Sequence, residues 1–150
     1  MKRLENKIAV IYGAGSIGGA VAKAFAKEGA KIFLASRGMP RLEAAAKAIE
    51  LEGGSIHTAQ LDVLDEQAVE KHMQEVVGLA GRIDISFNAI GISMTGIQGI
   101  PLENLPTDNF LLPIITYIKA HMITGKAAAK RMIGQGKGVI LMHTPDASRI

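Results

Sequence analysis

Cysteine and tryptophan are absent from the 150-residue sequence, and aromatic residues make up only 4% of it. Without cysteine the chain can form no disulfide, no thiolate nucleophile and no iron–sulfur cluster, a composition compatible with an intracellular, cytoplasmic location. No apolar run approaches the roughly 18 residues that a membrane-spanning helix needs. The charged residues 1–7 do not resemble a signal peptide. We therefore expect a soluble, cytoplasmic protein without a membrane partner.

Strong charge of one sign is also lacking, because the formal net charge is only +3. The basic residues are spread over predicted helices, which indicates a solvated surface and no nucleic-acid partner. The histidines are dispersed without the spacing of metal ligands, so we expect no metal site; they are His57, His72, His121 and His143. The sequence contains no Gly-x-Ser-x-Gly elbow, which argues against a hydrolase. It also lacks the lysine that directly follows the last glycine of a P-loop, which argues against a P-loop function.

Glycine is plentiful, and three glycines lie in the segment Gly13-Ala-Gly-Ser-Ile-Gly18, between an apolar run and a helical run. This order of strand, glycine turn and helix is typical of a dinucleotide-binding βαβ unit. Gly13 permits the sharp turn, Gly15 leaves room for a diphosphate, and Gly18 lets the helix pack closely on the sheet. The alternative is a glycine-rich turn that binds nothing.

The helix that follows the glycines begins with Ser16 and Ile17. The first amides of a helix and the positive end of its dipole favour phosphate. We therefore include both residues among the candidate cofactor-binding residues.

Strand and helix patterns alternate along the rest of the chain. Right-handed crossovers between such strands predict an α/β fold, a Rossmann-type doubly wound parallel sheet in the order 3-2-1-4-5 with helices on both faces, in a single domain over 1–150. The predicted strands are 8–12, 31–35, 55–61, 83–87 and 139–142. A long irregular segment, 88–106, precedes the fourth helix, and loops of this length are often functional.

Apolar periodicity also predicts which helix faces are buried. For the first helix the predicted stripe is Ile17, Val21, Ala24 and Phe25. For the fourth helix the predicted apolar side includes Leu111, Ile115, Ile118, Met122 and Met132, with Thr107 or Asp108 as the N-cap and Pro113 in the first turn or at a kink.

Four stretches together resemble the short-chain dehydrogenase/reductase superfamily. They are the glycine segment, the acidic strand exit Leu61-Asp-Val63, the segment Asp84-Ile-Ser-Phe-Asn-Ala-Ile-Gly91, and the end of the fourth helix with Gly138-Val-Ile-Leu. They are specific as a set and weak singly, and they span nearly the whole chain.

This resemblance implies further contacts to a nicotinamide dinucleotide. Asp62 would accept a hydrogen bond from the adenine amino group, with Val63 against the ring; a helix-capping aspartate is the alternative. Asn88, Ala89 and Gly91 would lie beneath the nicotinamide ribose, where small residues leave room. An ordinary strand-to-loop turn is the alternative for this segment.

Arg37 follows the second predicted strand, where an acidic residue would bind the adenine ribose and favour NAD. An arginine there can engage a 2′-phosphate with two parallel hydrogen bonds, which favours NADP(H) over NAD(H). Ser36 adds a hydroxyl beside it. A surface arginine at a turn is the alternative.

The sequence departs from the family pattern in places that matter for chemistry. Tyr12 stands where the family has Thr, the glycine loop is one residue shorter, and Ala89 replaces a second Asn that braces neighbouring strands. The family transfers a proton with a Tyr four residues before a Lys, which depresses the phenol pKa. Neither Tyr12 nor Tyr117 has such a lysine.

Two catalytic candidates remain. Thr144 offers a hydroxyl near the family's serine position, although Pro145 lies closer to that position, and Tyr117 falls where the family has a supporting Asn. The family's Tyr–Lys helix would begin past Ile150, so we expect an incomplete, N-terminal portion of a longer protein. Such a portion would expose apolar surface on the fifth strand and the fourth helix.

The resemblance implies an oxidoreductase that transfers hydride between NADP(H) and a small-molecule carbonyl, hydroxyl or activated alkene. It further implies that the full-length parent is a homo-oligomer. Two alternatives remain open: a non-catalytic dinucleotide-binding sensor or regulatory module, and a degenerate domain that binds no nucleotide.

Overall fold

A computed structural model describes residues 2–144 of the chain. Five parallel strands form one sheet in the order β3-β2-β1-β4-β5, which confirms the predicted doubly wound fold. The elements are β1 (Ile8–Tyr12), α1 (Ser16–Lys27), β2 (Lys31–Ser36), α2 (Met39–Leu51), β3 (Ser55–Gln60), α3 (Glu66–Ala80), β4 (Ile85–Asn88), a 3₁₀ turn (Leu102–Asn104), α4 (Thr107–Gln135) and β5 (Val139–Met142).

Strand β1 lies at the centre of the sheet, and all five of its residues are buried. Alternate side chains of a strand point to opposite faces. Accordingly Val10 and Tyr12 join the apolar cluster beneath α3 and α4, whereas Ala9 and Ile11 join the cluster beneath α1 and α2. The two clusters hold β1 between helical layers, and its carboxyl end therefore has a fixed position.

The helix ends follow local side-chain chemistry. The Asp65 carboxylate accepts hydrogen bonds from the amides of Gln67 and Ala68 at the start of α3, a standard N-cap. Helix α4 differs from the prediction, because neither Thr107 nor Asp108 is its cap. Its N-cap is Pro106, without a side-chain bond, and Pro113 lies inside the helix beyond the first turn.

The predicted buried stripe of α1 was wrong in part, and the predicted apolar side of α4 is mostly exposed. In α1 the buried residues are Gly18, Ala22 and Ala26, whereas Ile17 is 43% exposed and Ala24 is exposed. Small residues face the sheet because the helix approaches it closely. In α4 the buried residues are Ala120, Ile123, Thr124, Ala127, Ala128 and Met132, whereas Leu111, Ile115, Ile118 and Met122 are exposed.

Apolar surface is exposed on β5 and on the first half of α4. All four residues of β5 are exposed, and Ile118 and Met122 of α4 are about two-thirds exposed, at 65% and 64%. This agrees with the predicted exposure of the fifth strand and fourth helix. No helix within residues 2–144 combines the length and apolarity needed to cross a membrane.

Candidate nucleotide-binding site

The glycine turn is fixed between the carboxyl ends of two strands. The Gly13 amide donates to the Ala35 carbonyl at 2.8 Å, and the Ala89 amide donates to the Tyr12 carbonyl at 2.8 Å. Gly13 has a φ of +104°, and a Cβ there would lie 2.5 Å from the Ala89 carbonyl oxygen. Only glycine fits this position, because both the backbone angle and the space exclude a side chain.

Gly18 and Gly15 differ in what surrounds them. A Cβ on Gly18 would lie 1.7 Å from the Gly13 carbonyl oxygen, so α1 can approach the turn only with glycine there. A Cβ on Gly15 would have no protein atom within 4 Å. Gly18 is therefore needed for packing, whereas no contact within the described protein requires a glycine at position 15.

The N-terminus of α1 is open to an anion. Gly15 is its N-cap, no side chain caps the helix, and no acidic residue lies in its first turn. Ser16 and Ile17, which begin the helix, are exposed. Uncapped amides at a helix start carry partial positive charge and bind phosphate or carboxylate groups well.

A cavity of about 420 Å³ lies at the carboxyl edge of the sheet, beside this helix end. Ligands bind at this edge of doubly wound sheets, and the volume falls within the usual range for small-molecule sites. Seven of the sequence-predicted residues line it: Gly13, Gly15, Ser36, Arg37, Asp62, Val63 and Gly91. Of the others, Gly18, Asn88 and Ala89 are buried next to the turn and the end of β4.

Two arginines line the cavity on the β2 side, Arg37 and Arg41. Both are exposed, and neither forms an ion pair with a carboxylate of the described residues. The Arg37 carbonyl accepts a hydrogen bond from Gln60 Nε2 at 2.9 Å, and the Ser36 carbonyl accepts one from the Leu61 amide at 3.1 Å. The backbone after β2 is therefore held, while neither guanidinium group is bound to a carboxylate in residues 2–144.

Asp62 lines the cavity, and its Oδ1 accepts a hydrogen bond from the Leu64 amide at 2.9 Å. This bond closes a local turn before α3, whose N-cap is Asp65. The helix-capping function considered for Asp62 therefore belongs to Asp65. Val63 is 7% exposed and packs into the core while lining the same cavity.

Asn88 ties the end of β4 to α4. Its Nδ2 donates to Thr124 Oγ1 at 3.0 Å, and its Oδ1 accepts from the Ile90 amide at 3.2 Å. Ala89 is buried against the glycine turn. The loop that lines the cavity thus starts from a hydrogen-bonded exit, although the second Asn of the family pattern is missing.

Tyr12 and His72 form a buried pair below the turn. The Tyr12 hydroxyl lies 3.2 Å from His72 Nδ1, and the rings meet edge-on. Burial raises the pKa of Tyr12 and lowers the pKa of His72. Both groups are therefore neutral at neutral pH, and the pair gives Tyr12 a structural function where the family has Thr.

The two catalytic candidates lie at the edge that holds the cavity, but they do not line it. Tyr117 is half-buried, with its ring centroid 5.8 Å from that of His121. Thr144 is exposed, two residues after β5. Pro145 lies outside the described residues. No group of three or more His, Asp or Glu side chains between residues 2 and 144 is arranged to hold a metal ion.

Sequence reasoning missed several residues of the cavity, including Arg41, Ser93 and Thr116. Arg41 could have been singled out from the sequence, because the helix dipole disfavours a cation in the first turn of a helix. Ser93 had none, since the irregular segment before α4 carries no motif that would predict its path, and Thr116 lies within α4, where the apolar periodicity does not single it out.

The strand order, the glycine turn and the cavity together define a Rossmann-type α/β domain with an open site at the carboxyl edge of its sheet. The family model "short chain dehydrogenase" matches residues 7–149. The chain therefore belongs to the short-chain dehydrogenase family.

Relatives and solved structures agree with this membership. An uncharacterized oxidoreductase of Mycobacterium tuberculosis is 38% identical, over 100% of this chain and 56% of its own length. The crystal structure of a short-chain dehydrogenase/reductase from Burkholderia xenovorans has a TM-score of 0.84 at 27% identity, covering 95% of this chain and 57% of that one. An NAD⁺-bound xylitol dehydrogenase structure also has a TM-score of 0.84, at 30% identity, covering 94% and 54%.

The chain thus spans about half the length of the curated relatives it matches, as the shares of 50% and 56% of the relatives show.

Proposed function

We propose that the chain binds NADP(H) in the cavity beside the glycine turn and belongs to an enzyme that transfers hydride between this cofactor and a small-molecule carbonyl, hydroxyl or activated alkene. The observation that carries the cofactor preference is that two arginines, Arg37 and Arg41, line the β2 side of the cavity and form no ion pair within the described residues. The proposal concerns the family's reaction and leaves the individual substrate open.

The arginines favour a phosphate over a bare ribose. A guanidinium binds a phosphate with two parallel hydrogen bonds, and such charge-assisted bonds are stronger than neutral ones. Arg41 is the third residue of α2, in a first turn without acidic residues, where the helix dipole disfavours a cation. A bound 2′-phosphate would offset both positive charges at once.

The other end of the site suits a diphosphate. The open space over Gly15 and the uncapped start of α1 supply room and amide donors. Asp62 lines the same cavity, and its second carboxylate oxygen can accept from the adenine amino group. The residues present therefore fit a dinucleotide along the whole carboxyl edge from β3 to β4.

When bound, the nicotinamide supplies or accepts the hydride. The chain's own residues bind and orient it. Asn88 and Ala89 fix the end of β4 and leave space for the ribose, because their side chains are turned into the protein. Thr144 is the hydroxyl nearest to the family's serine position, and we propose that it helps to orient the substrate oxygen.

Titration of the purified chain with NADPH and NADH, following nicotinamide fluorescence, tests this proposal. Arg37→Asp is expected to weaken NADPH binding by about tenfold or more, since it removes a charge-assisted bond and adds a like charge near the phosphate. Its effect on NADH is expected to be much smaller.

Lys47→Asp is the matched control, because it makes the same charge change on exposed α2 surface that does not line the cavity. It should leave both affinities close to those of the wild type. Equal losses of NADPH and NADH affinity in Arg37→Asp would contradict the NADP preference, and no saturable binding of either cofactor would contradict the dinucleotide function itself.

A further inference from the structure

Helix α4 is linked by side-chain hydrogen bonds to the exits of both β4 and β5. Thr124 Oγ1 accepts from Asn88 Nδ2 at 3.0 Å and donates to the Ala120 carbonyl at 2.9 Å. One turn earlier on the same helix, His121 Nε2 lies 3.2 Å from the His143 carbonyl oxygen. The two strands are also bonded directly, since the His143 amide donates to the Asn88 carbonyl at 2.9 Å.

The partner of His121 fixes the protonation of its ring. A carbonyl oxygen can only accept, so Nε2 must carry the proton and donate it. Burial lowers the pKa of His121, which keeps the ring neutral at neutral pH, with its lone pair on Nδ1. That Nδ1 is buried and has no hydrogen-bond partner among the described residues, so the ring's one protein contact through nitrogen is the bond to His143.

The bond acts on one peptide unit. The His143 carbonyl belongs to the peptide group that joins His143 to Thr144, because residue i contributes the carbonyl of the bond to residue i+1. That peptide group is planar, so holding its oxygen also sets the direction of the Thr144 amide and Cα. The β-ladder bond of the His143 amide fixes only the preceding peptide unit.

We propose that His121 is a positioning residue: its Nε2–H holds the peptide group between His143 and Thr144, and so orients Thr144 at the nicotinamide end of the cofactor site. The function of this orientation rests on the proposed NADP(H) site, whereas the bond itself does not. Neither the cavity lining nor the family pattern points to this histidine; the assignment comes from its contact with the strand exit.

Two variants separate the hydrogen bond from the ring. His121→Gln keeps an N–H donor of similar reach, whereas His121→Phe keeps a ring beside Tyr117 and removes the donor. Hydrogen exchange of the His143 amide, which donates to the Asn88 carbonyl beside the His121 bond, is measured first, on the whole chain without cofactor. We expect about fivefold faster exchange in His121→Phe, the loss typical of one hydrogen bond, and rates near the wild type in His121→Gln.

The nicotinamide end is then examined by titrating each variant with NADPH and with 2′,5′-ADP, which contains the adenosine and the 2′-phosphate but no nicotinamide. His121→Phe is expected to lose fluorescence enhancement of bound NADPH and to keep its affinity for 2′,5′-ADP. His121→Gln is expected to retain both. If His121 were needed only for stability, its replacement would weaken the binding of NADPH and of 2′,5′-ADP together.

Unchanged exchange in His121→Phe would overturn the proposed positioning function, and so would equal acceleration in both variants. Unchanged NADPH fluorescence in His121→Phe, with faster exchange, would overturn the link to the nicotinamide end. Failure of the wild-type chain to bind 2′,5′-ADP would instead contradict the proposed NADP(H) function, and the exchange rates would still decide the function of the His121 bond.

Discussion

Strands β1 and β5 flank the same neighbour, β4, and both pair with it in parallel, yet their surroundings differ. All five residues of β1 are buried, and all four residues of β5 are exposed. Helices cover both faces of the sheet at β1, where two apolar clusters meet. At β5 the side chains belong to neither cluster. Equal backbone pairing therefore accompanies very unequal burial.

The difference shows where stability and function are expected to reside. Burial of apolar side chains is the main favourable term in folding, so the buried central strands β2, β1 and β4, with the helices packed on them, should supply most of the free energy of folding. The glycine turn extends from the buried strand and gains a fixed geometry from it. Apolar surface of the extent found on β5 and α4 is typical of contact surfaces.

The largest effect is expected when the same substitution, Ile to Ala, is compared between β1 and β5. Ile11→Ala in β1, where Ile11 is 0% exposed, should lower the free energy of unfolding by about 3 kcal/mol through lost burial and a cavity. Ile140→Ala in β5, where Ile140 is 38% exposed, should cost about 1 kcal/mol or less. Urea unfolding measures both, and equal losses would remove the distinction between the strands.

A second comparison concerns two glycines of α1. Gly18→Ala should destabilise the protein by about 2 kcal/mol, because the new Cβ would meet the Gly13 carbonyl oxygen. Gly19→Ala, in open space on the same helix, should be neutral or stabilising by about 0.5 kcal/mol through helix propensity. Thermal unfolding followed by circular dichroism distinguishes them. Similar losses at both positions would contradict the close packing of α1 on the turn.

The third prediction concerns the loss of stability at acid pH through the buried residue His72. Because burial lowers the pKa of His72 below its usual value of 6.5, the unfolded chain binds the proton more readily than the folded one. The contribution of neutral His72 to the free energy of unfolding is therefore fully present above pH 6.5. It is lost as the pH falls from there towards the pKa of His72 in the folded protein. The unfolding free energy should fall over this range, and less steeply in His72→Asn.

If the slope is the same in the wild type and in His72→Asn, the protonation of His72 is not coupled to folding.

The smallest effects are expected for ion pairs on the two sides of the sheet. Lys23 pairs with Glu52 at 2.6 Å between α1 and α2, and Lys126 pairs with Glu66 between α3 and α4. All four side chains are about half exposed, so Lys23→Ala and Lys126→Ala should each lower the free energy of unfolding only slightly, and less at high salt. A loss as large as that of Ile11→Ala in either variant would contradict the dominance of burial over surface charge.

The fold could be predicted from the sequence because its signals are local and periodic. The apolar runs, the glycine breaks and the βα alternation predicted the strand order, and the spacing of Gly13, Gly15 and Gly18 predicted the position of the turn. Gly18 faces the Gly13 carbonyl as the packing argument required. These features depend on neighbours within a few residues, which is why a single sequence reveals them.

Other features depend on how distant elements approach one another. The predicted stripe of α1 was wrong in part, because close approach of the helix selects glycine and alanine over Ile17 for the sheet face, although Val21 and Phe25 do pack against the core. Arg41 reaches the cavity through the path of α2, and His121 contacts the exit of β5 across 22 positions of sequence. Periodicity carries no information about such contacts.

The most direct test of the dinucleotide site is the affinity of Gly15→Ala for NADPH, measured beside its unfolding free energy. No protein atom lies within 4 Å of the new Cβ, so the variant should unfold within about 1 kcal/mol of the wild type. The Cβ would project where the diphosphate approaches, so binding should weaken by about tenfold or more. Unchanged NADPH affinity in a stably folded Gly15→Ala protein would contradict the account.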